Sequence, residues 1–168
     1  MSFGLAGALS KAGAPTSGVA QVETAQIVGT ITLTGTATFT ITSALVVGSP
    51  LAVTVDVLVD DTATIVATKA AVKLNATAAV ALHYIATSNA ADLILTALKA
   101  AANDATLNIA YTNGTCTGLT PDATSNDTTA GVKGDYRGAP RNTTLVDTTN
   151  TNIYRNTGTN LVPTWTLE

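Results

Sequence analysis

Histidine, cysteine and aromatic side chains are scarce in this sequence. There is one histidine, His83, and one cysteine, Cys116. A lone cysteine excludes an intrachain disulfide. No second histidine, CxxC or HExxH spacing is present to build a metal site. Flanked by Thr115 and Thr117, Cys116 reads as a small packed residue, because a thiolate nucleophile needs a base beside it and nothing in the spacing brings His83 there. Charged residues make up 11% of the chain, against about 25% in ordinary soluble domains. The net charge is −3 and the pI about 4.9, so no excess of lysine and arginine exists to neutralise phosphates, and a nucleic-acid partner is not expected. Arg137, Arg141 and Arg155 all fall in the last third. No apolar run reaches the roughly 18 residues of a membrane span, so no membrane partner is expected. No phosphate-binding glycine loop occurs, no cofactor is implied, and an enzyme is the least supported class.

Threonine, alanine and valine are abundant instead. Threonine alone is about a fifth of the 168 residues. It is β-branched, favours strands and hydrogen-bonds without a counter-ion. A charge-poor surface of this kind suits a protein packed against copies of itself or a partner.

The chain is organised around Leu51–Leu74. Leu51, Val53, Val55, Val57 and Val59 alternate with Ala52, Thr54, Asp56 and Leu58, the period of a strand. The pattern breaks at Asp60-Asp61, either of which suits a helix start as a cap better than the pair suits acid–base chemistry. Thr62–Leu74 then reads as a helix of about three turns. Before this block, residues 1–22 read as an extended N-terminal arm, with Phe3, Leu5 and Leu9 as its apolar anchors. The run MSFGLAGALSKAGAPTSG lacks a basic start, so a signal peptide is not expected. Ile27 to Leu33 and Ala37 to Ile41 alternate around Thr34-Gly35 and predict a hairpin. After the helix, residues 75–80 suggest a helix end or short second turn. His83–Thr87, Asp92–Leu98 and Leu107–Thr112 predict strands, the last ending at the turn Asn113-Gly114.

Residues 23–120 therefore predict an α+β domain, mostly antiparallel β in the order β-β-β-α-β-β-β, with one helix packed on the sheet. Residues 121–142 read as a linker or strap, with Tyr136 and Arg137 in GDYRGAP as candidate partner contacts. Residues 143–168 read as a small C-terminal β meander that should lean on other structure through Tyr154 and Trp165, since so short a sheet is marginal alone. Asp122, Asn126 and Asp127 lack the spacing of an EF-hand loop. Asn75, Asn113, Asn126 and Asn142 stand in N-x-[ST] contexts, as chance allows in a threonine-rich chain.

Two blocks carry a resemblance. SPLAVTVDVLVDDTATIVATKAAVKL with ALKAAANDATLNIAYTNGTCTGLT is similar to a domain common in structural proteins of tailed bacteriophages. TTLVDTTNTNIYRNTGTNLVPTWTLE resembles a short unit near the ends of phage head-decoration and fibre proteins, and the opening MSFGLAGALSKAGAPTSG resembles the start of capsid-associated proteins. The helix Thr62–Leu74 carries less charge than is usual in that family, as if its outer face were covered. The resemblance implies a virion structural protein, most like a capsid decoration (cement) protein, made in the host bacterial cytoplasm and placed on the capsid surface. Its implied partners are the major capsid protein and copies of itself, as a homo-oligomer such as a trimer. A tail tube, neck or fibre component is the first alternative, and a bacterial surface or carbohydrate-binding β domain the second.

Overall fold

The computed structural model of the protein describes residues 9–168. Phe3 and Leu5 lie outside the described residues. In chain order the elements are β1 (Leu9–Lys11), β2 (Val22–Gln26), β3 (Gly29–Leu33), β4 (Gly35–Thr42), β5 (Leu51–Val57), α1 (Ala63–Asn75), α2 (Ala78–Ala81), β6 (Tyr84–Asn89) and β7 (Asp92–Ala97). There follow β8 (Asn108–Thr112), β9 (Thr117–Leu119), β10 (Asn126–Thr129), β11 (Thr144–Asp147), β12 (Ile153–Asn156) and β13 (Trp165–Leu167). The described residues are mostly β, with several antiparallel sheets and two helices. These fall into two compact units.

The larger unit comprises Gln21–Leu98 and Asn103–Ala130. It holds a sheet in the order β5-β4-β8 and another in the order β10-β2-β7-β6. The alternation in β4 works as read: Ala37, Phe39 and Ile41 are buried while the threonines between them face away. Phe39 pairs with Val53 on one side and Tyr111 on the other, and its ring stacks on Tyr111 at 5.9 Å. Both sheets and α1 share one apolar core, to which the helix gives Val66, Ala67, Ala70, Ala71 and Leu74.

Three local expectations are corrected. The stretch read as one strand from Ile27 to Leu33 is split, and β3 makes no hairpin with β4. It pairs with β9, because Gly29 and Gly118 let two backbones approach so closely that a Cβ on either would lie 2.1 Å from a carbonyl oxygen of the other strand. The helix cap is Thr62, without a side-chain bond. Asp61 instead accepts the Leu58 N–H at 2.8 Å and the Lys69 ammonium at 2.5 Å, closing the turn that precedes the helix. A second, short helix, α2, follows the first at the stretch read as a helix end or short second turn, and it adds one element to the expected order with a single helix.

The smaller unit comprises residues 9–20, Lys99–Ala102 and Gly131–Glu168. Its sheet runs β1-β11-β12-β13. The last three strands form an antiparallel meander, and β1 adds to it in parallel, Leu9 opposite Leu145. Leu9–Lys11 is thus a paired strand inside the stretch read as an arm, and β10 on β2 lies inside the stretch read as a strap. Ala139, Leu145 and Trp165 form the small core, with Leu9 and Tyr154 packed against it. So little apolar surface is supplemented by polar side chains that close loops. Asn156, fully buried, donates to the Ala139 carbonyl at 2.8 Å and accepts from the Gly158 and Thr164 N–H groups at 3.0 Å each. Asp147 accepts from Gly13, Thr149 and Asn150. Each such bond contributes about 1 kcal/mol net, more when burial would leave the partner bare.

Candidate functional site

The residues singled out as partner contacts that lie within the described chain all belong to the smaller unit. The segment GDYRGAP supplies most of the site. Asp135 accepts the Lys11 ammonium and the Thr16 N–H. That cation and N–H, outweighing partial burial, hold its carboxyl below the usual range. The anchored aspartate fixes the start of the loop. Tyr136 follows with φ +50°, in the left-handed region uncommon for residues other than glycine. The turn presents its ring edge-on to Trp165, centroids 6.3 Å apart, and its hydroxyl donates to the Ser10 carbonyl. The loop then closes through Ala139 N–H to the Tyr136 carbonyl at 2.9 Å and Gly138 N–H to the Asn160 carbonyl at 2.8 Å.

A hollow of about 450 Å³ results, lined by Leu9, Tyr136, Arg137, Gly138, Ala139, Pro140 and Thr143. Its floor is apolar, from Leu9, Ala139 and Pro140. Its rim carries the phenol of Tyr136 and the exposed guanidinium of Arg137, which has no acidic partner among the described residues. An apolar side chain flanked by a carboxylate or carbonyl matches this arrangement. Tyrosine and arginine are the side chains that most often anchor protein interfaces.

The structure therefore brings Leu9, Tyr136 and Arg137 to one place, from positions 127 or more apart in the case of Leu9. It does not bring Tyr154 or Trp165 to that surface as contacts. Trp165 is buried, its indole N–H donating to the Asp135 carbonyl at 3.2 Å, and Tyr154 packs on the same core. Phe3 and Leu5 lie outside the described residues. Sequence reasoning passed over Ala139, Pro140 and Thr143. The Gly-Ala-Pro run after Arg137 was the available signal, since it forces the chain to turn there.

Elsewhere the polar groups serve the fold. Asp122 accepts from the N–H and hydroxyl of Thr124 within its own loop. Among the described residues no group of three histidine, cysteine, aspartate or glutamate side chains gathers that could hold a metal ion. Cys116 is buried, which pushes its thiol up, and it donates to the Asn113 carbonyl at 2.8 Å. No protein-family model matches the chain, and no curated protein matches it.

Proposed function

We propose that the protein is a non-enzymatic structural component of a tailed-phage particle, a decoration or cement protein that binds across subunits of the major capsid protein and stabilises the head. On this reading the α+β body is a rigid spacer, the N-terminal residues act as an arm anchored by Phe3 and Leu5, and the protein resides on the capsid surface. The observation that carries the reading is the hollow shared by Leu9, Tyr136 and Arg137: an apolar floor with an aromatic and an unpaired cation at its rim, built from the N-terminal strand and the loop before the terminal meander. The resemblance of both sequence blocks to phage structural proteins supports it. The mechanism is additive burial. Each copy removes apolar and hydrogen-bonding surface from water across a subunit boundary, and binding only the assembled state stabilises that state by mass action.

The test mixes the purified full chain with expanded capsids that lack it. Saturable, stoichiometric binding and a higher capsid melting temperature are expected, and Arg137→Glu with Tyr136→Ala should lower the affinity at least tenfold. Rings or tubes formed by the protein alone, with no capsid binding, would overturn the reading in favour of a tail component.

A further inference from the structure

In the larger unit α1 packs against both β5 and β6, each the outer strand of its sheet. The two edges are finished differently. On the β6 side the Asn75 amide donates to the Ala86 carbonyl at 2.8 Å and accepts the Ala86 N–H at 2.8 Å. That side chain reproduces one rung of strand pairing and closes the edge. On the β5 side a hollow of about 350 Å³ opens between Val55 and Asp56 of the strand and Thr68, Lys69, Val72, Lys73 and Ala76 at the helix and its end. Only β4 pairs with β5 among the described residues, through an unbroken register from Leu51 to Val57. β5 contains no lysine, no proline and no bulge, the usual devices that blunt an edge. Lys69 is held by Asp61, and Val72 is 67% exposed.

We propose that this groove receives residues 1–8 of a second copy of the chain, which add to β5 as an extra strand and set Phe3 and Leu5 against α1. The inference rests on the reading that copies of the protein assemble on one particle, and it names the surface they use. Met1-Ser2-Phe3-Gly4-Leu5-Ala6-Gly7-Ala8 has its large apolar side chains at every second position and small residues between them, the period of a strand. The segment carries no charged side chain, so it brings no like charge to Lys69 and Lys73 at the groove. Eight residues extend over about 26 Å and the seven of β5 over about 23 Å, at roughly 3.3 Å each, so the segment is long enough to pair along the whole edge. Main-chain hydrogen bonds to the free edge supply affinity, and the apolar hollow beside it selects the alternate side chains. A strand given by one copy to a groove elsewhere on the next is a heterologous contact, which builds rings when its rotation closes.

The test mixes two full-length variants, Phe3→Cys and Val72→Cys, under mild oxidant. Cys116 is buried. The expected result is a disulfide-linked heterodimer, in at least fivefold higher yield than with Leu82→Cys, an equally exposed control position. Val72→Lys, made at an exposed site, should abolish competition by unlabelled protein for that cross-link and leave the circular dichroism spectrum unchanged. A yield no higher than the control overturns the proposal. So does a cross-link seen only within single chains of the Phe3→Cys, Val72→Cys double variant. Capsid binding is read in parallel on the same two variants: variants that bind capsids without giving the cross-link remove the groove and keep the decoration reading, and a cross-link without capsid binding does the reverse.

Discussion

Ser125 and Glu23 lie 102 positions apart, and the serine hydroxyl donates to Glu23 Oε1 at 2.5 Å. Glu23 is 2% exposed, and its other oxygen, Oε2, has no hydrogen-bond partner. Burial raises the carboxyl pKa above its ordinary 4.5, the Ser125 bond opposes the rise, and nearby Asp127 adds to it. The bond ties the start of β10 to the middle of β2.

A group whose folded pKa is raised stabilises the fold most below its unfolded value and loses that contribution as pH rises through the folded one. The melting temperature should therefore carry a component that falls as pH is raised from about 4.5. Glu23→Gln should remove that component, so the difference between variant and wild type grows in the variant's favour toward neutral pH. Thermal melts of both proteins from about pH 4.5 upward to neutral pH read this directly.

Asp61 behaves with the opposite sign. Burial would raise its carboxyl, but the Leu58 N–H and the Lys69 ammonium outweigh it and hold the value below 3.8. Its contribution is present above that value and is lost as pH falls through the folded one. Asp61→Asn should destabilise by about 1 kcal/mol near neutral pH, since the pair is partly exposed. The gap to wild type should close in acid. Urea titrations at pH 7 and pH 3 separate the two cases.

The Asn156 side chain holds four backbone groups of the smaller unit at once, the carbonyls of Ala139 and Pro140 and the N–H groups of Gly158 and Thr164. Asn156→Ala leaves the buried Ala139 carbonyl and two part-buried N–H groups without their partner and should lower the stability of that unit by about 2 kcal/mol. The only tryptophan, Trp165, lies in the same unit, so its fluorescence in denaturant follows this transition. An unchanged midpoint would mean that the meander does not depend on the Asn156 bonds.

Gly118 has φ +113°, and a Cβ there would stand 2.1 Å from the Thr30 carbonyl oxygen. Gly118→Ala should therefore separate β9 from β3 and destabilise by at least about 2 kcal/mol, from strain and displaced backbone together. Amide exchange at Thr120, whose N–H bonds the Val28 carbonyl at 2.9 Å, should quicken in the variant.

Much of the architecture was legible in the residues because period-two alternation survives any tertiary context. β4, β5 and β8 lie where buried apolar side chains fall at every second position, β7 lies on the apolar run read as a strand, the helix begins within a residue of where the pattern changes, and the three strands of the terminal meander follow their turn residues. Of the candidate contacts, Leu9, Tyr136 and Arg137 were visible as bulky side chains on otherwise small, polar stretches. What the sequence alone could not decide was pairing. Strand partners are chosen by contact between distant segments, so a local hairpin reading of Ile27–Ile41 had no means of seeing that Gly29 would meet Gly118. In the same way β1 carries too few residues to show a period, and it becomes a strand only because β11 offers it a free edge. Asp61 looked like a helix cap until Lys69, two turns along, claimed its carboxylate. Trp165, read as the residue through which the meander leans on other structure, packs in the small core with its ring edge-on to Tyr136. Local patterning sets which face of an element is apolar, and only the tertiary structure decides what that face meets.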